Sequence, residues 1–399
     1  MILLGKPYVS DFLVKTIREN NFPVIATKHA REMVQEENLN WISEEDAVAQ
    51  IMKNKGSVIY SNSENNIQWL QENASGSSLP GQIALFKNKI RFRELIMASF
   101  PDYFFKGVKY ADLRDIDPEN LKFPFIIKPS VGFSSIAVHK VDNSLEWHQV
   151  LDDIEIEIED AQDMFPKEVI ELTEFIIEEY IDGEEYAVDC YFDKEGEPVI
   201  LNILHHIFSS DKDVSDRVYY TSPEIIEKHK DKVQDFLQMV GRKALLKNFP
   251  AHLELRITKE GRINPIEVNP LRFGGFCTTG DLSFYAYGIN SYEYFFNSKK
   301  PDWDKILLTR RGKQFNLIAL DNNSGIKVKE IESFDYEALL KNFEKPLDLR
   351  KINYKVYPLF GMLFTETVVG KNEEIDRILH SNLREYIEVK GELVKATDF

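Results

Sequence analysis

The chain has 399 residues, 43% hydrophobic and 29% charged, so a soluble globular protein of about two to four domains is expected. Its formal net charge of −17 disfavours nucleic-acid and membrane partners, because an acidic surface repels phosphate backbones and anionic lipid. The two cysteines, Cys190 and Cys277, are too few for a disulfide framework or a zinc cluster. Together with the lack of a signal-peptide core or a long apolar run, they favour a cytoplasmic protein.

Residues 1–85 alternate between short apolar strands and helices. Strands are predicted at 2–4, 22–26 and 56–60, and a helix at 11–20. This rhythm is typical of a parallel sheet with crossover helices, and therefore of an N-terminal α/β domain. The first strand is not followed by GxGxxG, so the dinucleotide-binding fingerprint is missing.

Residues 86–300 mix long strands with helices, and residues 301–399 are interpreted as a small appended subdomain. The chain is therefore expected to be a multidomain α/β and α+β protein. The main predicted elements are a helix at 88–99, a strand ending in FPFIIKPS, an acidic helix at 144–165, a hairpin of EYAVDCYF and EPVILNILHH, a helix at 223–247, a hairpin at 251–270 and a helix near 373–386.

The second hairpin carries the most informative chemistry. A two-residue turn at Glu260-Gly261 would bring Glu254 opposite Glu267, and alternation would put Asn269 on the same face. Because like charges opposite each other destabilise a sheet, a compensating cation is expected. Hard oxygen ligands of this kind suit magnesium.

An alternative interpretation of this hairpin is a solvated sheet face on which Arg256 neutralises the two carboxylates. The pattern of charges alone does not decide between an arginine and a metal ion.

Two earlier segments suit a nucleotide. Lys128 ends an apolar strand and precedes VGFSS, whose amides and the hydroxyls of Ser134 and Ser135 can cradle phosphate. In IIEEYIDGEE, a strand leading into a turn can offer its backbone to an adenine edge, and Glu185 can accept from ribose hydroxyls. Taken singly, the first segment is better explained as a lysine beside a turn, and the second as an exposed acidic hairpin.

Lys128 in FPFIIKPS, the EEYIDGEE segment and the ELRITKEGRINPIEVNP hairpin occur in this order, and together they resemble the ATP-grasp superfamily. That superfamily includes D-alanine–D-alanine ligase, biotin carboxylase and amino-acid ligases. The likeness covers roughly residues 85–300. It implies an ATP-grasp fold with an N-terminal parallel α/β domain (1–85), an ATP-grasp domain (86–300) with a lid at about 110–182, and a C-terminal extension (301–399).

The resemblance implies a role for each matching residue, with ATP and Mg²⁺, or Mn²⁺ in its place, as cofactors. Arg272, displaced by one position from the family's NPR, would hold the substrate carboxylate or the departing phosphate. Lys212 or Arg217 would meet the γ-phosphate. The remaining implied roles are phosphate binding by Arg93 and Lys128, adenine contact by Glu178, Glu179, Tyr180 and Ile181, ribose contact by Glu185, and metal binding by Glu254, Glu267 and Asn269.

The implied activity is activation of a small-molecule carboxylate as an acyl phosphate and its transfer to an amine. Activation of bicarbonate is the alternative within the fold, although the chain has neither tandem halves nor a Met-Lys-Met biotinylation sequence. A nucleotide-binding protein without catalysis is the third hypothesis. By analogy, a homodimer is expected. His205-His206 and Cys277 are interpreted as structural or pocket-lining residues.

Overall fold

The computed structural model describes residues 1–54, 56–132, 137–162, 171–210, 213 and 215–390. Three residues singled out from the sequence, Ser134, Ser135 and Lys212, lie outside this described part of the chain. No described helix combines the length and apolar character needed to cross a bilayer.

The N-terminal domain is built on a parallel four-stranded sheet with the order β3-β2-β1-β4, which confirms the predicted parallel sheet. Helix α1 begins where Ser10 accepts a hydrogen bond from the Leu13 amide, and it ends at Asn21 in the left-handed region. The elements are β1 (Ile2–Leu3), α1 (Asp11–Asn20), β2 (Val24–Ile25), α2 (Lys28–Met33), β3 (Trp41–Ile42), α3 (Glu44–Lys53), β4 (Tyr60–Ser61), α4 (Ile67–Asn73) and α5 (Leu79–Lys87).

A second unit, here called the lid, follows helix α6 (Lys89–Ile96). Its four strands are antiparallel in the order β5-β8-β6-β7, and its helix α7 covers them. The lid has an apolar core of its own around Phe125, Trp147 and Phe175. Its elements are β5 (Phe105–Lys109), β6 (Phe125–Val131), β7 (His139–Val141), α7 (Trp147–Gln162) and β8 (Glu171–Glu179).

The rest of the chain forms one antiparallel sheet of eight strands, in the order β13-β12-β9-β10-β11-β14-β17-β16, here called the body sheet. Among the described residues after 300, three strands extend this sheet and the remaining two, β15 and β18, pair with each other. The elements are β9 (Glu184–Phe192), β10 (Pro198–Ile207), β11 (Val218–Thr221), α8 (Pro223–Ala244), β12 (Phe249–Ile257), β13 (Ile263–Pro270), α9 (Thr278–Tyr287), α10 (Ser291–Phe296), α11 (Trp303–Leu308), β14 (Lys313–Asp321), β15 (Ile331–Phe334), α12 (Tyr336–Leu340), β16 (Pro346–Lys351), β17 (Leu359–Val368), α13 (Glu373–His380) and β18 (Ile387–Val389).

Helix α8 covers one face of the body sheet. Its apolar residues recur at helical spacing and are buried, among them Ile226, Val233 and Leu237. His229 on this helix packs against the ring of Tyr186. Because side chains alternate along a strand, Glu185 and Ala187 point to the opposite face of the sheet, where the candidate site lies.

Candidate functional site

The hairpin of β12 and β13 brings the predicted carboxylates together by a route that differs from the prediction. The loop between the strands spans residues 258–262, and within it the Thr258 amide donates to the Arg262 carbonyl and closes a three-residue turn with Gly261 at φ +79, so the predicted two-residue turn is wrong. A bulge at Ile266 then shifts the register back by one residue. The two displacements cancel, and Glu254 does face Glu267, as predicted.

Asn269 completes a cluster of three polar side chains on one face. Its Nδ2 lies 3.4 Å from Glu254 Oε1 and 3.3 Å from Glu267 Oε1. The two glutamate side chains are 25% and 22% exposed, respectively, so they reach a cleft and are not sealed in the core. The cross-strand neighbour of Glu254 on β9 is Ala187, so this position adds no charge to the pair.

The positive charge beside this pair comes from Lys89 on α6. Lys89 Nζ lies 2.9 Å from Glu267 Oε2, and the lysine is buried. Burial alone would raise the pKa of Glu267, but the Lys89 ammonium lowers it below its usual range. Burial, followed by the charge of Glu267, raises the pKa of Glu254 well above its usual range. The pair therefore holds one readily ionised carboxylate and one that needs a further cation to ionise.

Arg256 does not neutralise these carboxylates. Its Nε donates to Glu185 Oε2 at 3.1 Å, and its Nη1 donates to the carbonyl of Ile181 at 2.9 Å. The solvated-face alternative, in which Arg256 compensates the pair, is therefore wrong. Lys89 is a site residue that sequence reasoning missed, although it lies one helical turn before Arg93 on the same face of α6.

A second buried cluster joins the body to the lid. Arg93 donates from Nε to Glu178 Oε2 at 2.8 Å, and from Nη2 to the carbonyl of the bulged Ile266 at 2.9 Å. Lys128 Nζ lies 2.7 Å from the other oxygen of Glu178. Burial would raise the pKa of Glu178, but Arg93 and Lys128 lower it to about 2. Burial lowers the pKa of Lys128 in spite of this ion pair.

These contacts give Glu178 a role that differs from the predicted adenine contact. Its carboxylate is bonded to the two predicted phosphate-binding residues, so it orients them and is not directed at a base. Two buried cations share one carboxylate here, which leaves a net positive site beside the carboxylate pair. Such a site suits phosphate oxygens.

The segment that links lid and body runs from Glu179 to Glu185. The amides of Glu179 and Tyr180 donate to the carbonyls of Phe104 and Pro124. A Cβ at Gly183 would lie 2.7 Å from the carbonyl oxygen of Ile257. The two hydrogen bonds fix the linker at its lid end. At its centre, the Ile257 carbonyl lies so close to Gly183 that a side chain has no room there.

Glu185 lies at the body end of this linker. It contacts His206 Nδ1 at 3.0 Å and Arg256. Despite burial, these two neighbours lower the pKa of Glu185. The predicted ribose-binding carboxylate is thus held ionised at the end of the linker.

Arg272 is fixed by a residue of the N-terminal domain. Its Nη2 and Nε donate to Glu64 Oε1 at 2.7 Å and 3.1 Å, and its Nη1 donates to the carbonyl of Phe273 at 2.9 Å. Lys87 contacts the other oxygen of Glu64. Glu64 lies in the segment 62–66, which follows strand β4 and therefore reaches the edge of the site.

Arg217 faces the C-terminal residues. Its Nε donates to Asp321 Oδ1 at 2.9 Å, and its Nη1 donates to the carbonyls of Ile378 and Ser381. These contacts tie β11 to the C-terminal part of the chain. They do not fit the expected γ-phosphate contact.

The chemistry of the donor set fits a magnesium ion. No group of three or more His, Cys, Asp or Glu side chains in the described residues is arranged to hold a metal, so a metal here would take the two carboxylates and the Asn269 amide oxygen, after rotation of the amide whose nitrogen now faces them. Magnesium is usually bound by one or two carboxylates together with waters and substrate phosphates. A divalent cation would also relieve the like-charge pairing that raises the pKa of Glu254.

Comparison with known proteins identifies the fold of the chain. The sequence profile of the ATP-grasp domain matches residues 121–280. No curated protein sequence matches the chain.

Solved structures match nearly the whole chain. The L-amino acid ligase of Bacillus licheniformis superposes with a TM-score of 0.67 at 18% identity, over 97% of both chains. N5-carboxyaminoimidazole ribonucleotide synthetase from Thermotoga maritima gives 0.62 at 16% identity, over 97% of this chain and 98% of the other. The biotin carboxylase domain of the Hydrogenobacter thermophilus 2-oxoglutarate carboxylase, in complex with MgADP and bicarbonate, gives 0.60 at 13% identity over 97% and 90%.

Proposed function

We propose that this chain, which has the ATP-grasp fold, is an ATP- and Mg²⁺-dependent ligase that activates a carboxylate as an acyl phosphate and joins it to an amine. The observation that carries the proposal is the convergence of two sets of residues at one cleft. Glu254, Glu267 and Asn269 form a polar patch, and Arg93 on α6 and Lys128 on the lid strand β6 form a buried basic cluster around Glu178.

The proposed reaction begins when a carboxylate oxygen of the substrate attacks the γ-phosphorus of ATP and ADP leaves. The amine then attacks the carbonyl carbon of the acyl phosphate, loses a proton, and the tetrahedral intermediate expels phosphate to give an amide. Arg93 and Lys128 stabilise the negative charge on the phosphate oxygens. Closure of the lid excludes water, which would otherwise hydrolyse the acyl phosphate.

Glu254, Glu267 and Asn269 would hold the magnesium ion, which offsets charge on the phosphates when bound. Glu178 binds both Arg93 and Lys128 and thereby orients them. Arg272, held by Glu64 at the rim, is the candidate for contact with the substrate carboxylate, and Glu185 is the candidate for the ribose hydroxyls.

The test of this proposal is ADP release in the presence of pooled carboxylates and amines, with mass spectrometry of the products. Transfer of ¹⁸O from a labelled carboxylate into phosphate reports the acyl phosphate step. Glu267→Gln is expected to abolish ADP formation without unfolding the protein, because one charged ligand oxygen is lost. Glu260→Gln, an exposed position on the same hairpin, is the matched control. Wild-type turnover in Glu267→Gln contradicts the metal assignment.

A second candidate reaction is activation of bicarbonate. It is favoured by the likeness to the biotin carboxylase domain solved with MgADP and bicarbonate. ADP release that depends on bicarbonate and needs no other carboxylate would select it. The amino-acid ligase type is preferred because that neighbour spans the same length of chain with a TM-score of 0.67. Nucleotide binding without turnover on a broad substrate panel would contradict both reactions.

A further inference from the structure

His252 occupies a central position in a row of polar residues that crosses three strands of the body sheet. It pairs across the sheet with Asp189 on β9 and with Asn269 on β13. The next row along the same strands contains Glu254 and Glu267. His252 thus shares a face with all three candidate metal ligands.

Each ring nitrogen of His252 faces a carboxylate. Nδ1 lies 2.7 Å from Asp189 Oδ1, and Nε2 lies 3.9 Å from Glu254 Oε1. Asp189 is fully buried and His252 is 5% exposed, so solvent hardly reaches this contact. Within the described residues, Asp189 Oδ2 accepts no hydrogen bond. The histidine is therefore the main polar partner of a carboxylate whose isolated burial would be costly.

The two candidate metal ligands are supported in parallel ways. Lys89 contacts Glu267 at 2.9 Å from one side, and His252 approaches Glu254 at 3.9 Å from the other. Groups behind a metal ligand fix its orientation, and their removal typically weakens metal binding. Lys89 is anchored by its helix, whereas His252 is anchored by Asp189.

We propose that His252 is a positioning residue for the divalent cation. Asp189 fixes the ring through Nδ1, and the Nε2 edge of the ring holds the carboxylate of Glu254 in place beside Glu267 and Asn269. This inference rests on the proposed function, because it concerns the metal site of the ligase.

Two amide substitutions separate the two nitrogens. In His252→Asn the amide nitrogen occupies the place of Nδ1, so the contact with Asp189 is kept and the one with Glu254 is lost. In His252→Gln the amide nitrogen occupies the place of Nε2, so the contact with Glu254 is kept. His229→Gln is the matched control, because this buried histidine lies on the other face of the sheet, against Tyr186.

The measurement is a titration of Mn²⁺ into the protein–ADP complex, followed by electron paramagnetic resonance, which does not require turnover. His252→Asn is expected to weaken Mn²⁺ binding by about 10-fold to 100-fold, the range typical for loss of such a supporting contact. His252→Gln, which loses the Asp189 contact but keeps the Glu254 contact, is expected to weaken Mn²⁺ binding less than His252→Asn does, and His229→Gln is expected to leave it unchanged. ADP binding in the presence of EDTA should be the same in all four proteins.

Wild-type Mn²⁺ affinity in His252→Asn, or equal losses in His252→Asn and His252→Gln, would overturn the inference. Asp189→Asn is a further variant that keeps the side-chain shape; it should also weaken Mn²⁺ binding, and unchanged affinity there counts against the anchoring step. Melting temperatures confirm that each variant is folded. A wild-type ADP complex that binds no Mn²⁺ overturns the proposed function itself, and the inference with it.

Discussion

Glu64→Gln tests whether the ion pairs of Glu64 with Lys87 and Arg272 hold the N-terminal domain to the body. The Glu64 side chain is 14% exposed and contacts both Lys87 and Arg272. Burial would raise its pKa, but these two cations lower it from 4.5 to about 2. At about 1.4 kcal/mol per pKa unit, ionised Glu64 stabilises the fold by about 3 kcal/mol at neutral pH.

The direction of the pH dependence of stability follows from the lowered pKa of Glu64. The stabilisation is fully present above the ordinary carboxyl pKa of 4.5 and is lost as the pH falls toward 2. The wild type should therefore exceed Glu64→Gln by about 3 kcal/mol in free energy of unfolding at pH 7, and this difference should shrink steadily below pH about 4.5.

Urea unfolding followed by tryptophan fluorescence is the assay, because Trp41 and Trp69 both lie in the N-terminal domain. Glu72→Gln, at an exposed position on α4, is the control and should leave stability within about 0.5 kcal/mol of the wild type. A difference between Glu64→Gln and wild type that stays constant from pH 7 to pH 3 would refute the reasoning.

Two further predictions concern the structural links around the site. Arg217→Met should lower the free energy of unfolding by about 2–4 kcal/mol, since it leaves Asp321 and buried carbonyls without their donor. Calorimetry measures this, and unchanged stability with lost turnover would restore a phosphate role for Arg217. Gly183→Ala should raise the KM for ATP several-fold because a Cβ there meets the Ile257 carbonyl at 2.7 Å. Gly81→Ala, inside α5 with open space around it, should stabilise the protein by about 0.5–1 kcal/mol without changing KM. Equal KM values in the two glycine variants would contradict a fixed linker.

Local sequence signals predicted those elements whose ends are set by neighbouring residues. The helix predicted at 11–20 is observed as Asp11–Asn20, because Ser10 caps its start and Asn21 ends it. Strand β3 was missed, since its two residues are only half-buried and show no alternation. The aromatic segment FYAYGINSYEYFFN contributes to two helices, α9 and α10, because Gly288 at φ +71 ends the first.

Pairings between distant segments could not be obtained from the same signals. The continuous apolar runs of β14 and β17 indicate buried strands, but they do not indicate which strand each one pairs with. The strands after residue 300 were consequently assigned to an appended subdomain, whereas they extend the body sheet.

In the candidate site, too, local contacts were predictable and distant ones were not. The pairing of Glu254 with Glu267 could be predicted because both residues lie in one hairpin, and even there the result is correct only because two register errors cancel. Glu64 was not identified because its bond to Arg272 joins residues 208 positions apart. Lys89 and His252 carry no local signal that distinguishes them from an ordinary helix lysine or a core histidine. The three-dimensional contacts alone assign them to the cleft.

The strand order of the body sheet determines where the chain can be divided. Truncation after residue 300 would remove β14, β17 and β16, and it would leave β11 as a bare edge whose unpaired amides and carbonyls invite aggregation. The lid is the opposite case. Its first and last strands lie side by side, with Phe105 paired to Glu178, so the chain departs and returns at neighbouring points. A short turn can bridge that gap. The lid can therefore be removed or exchanged as a unit, whereas the body sheet cannot be cut without exposing a strand edge.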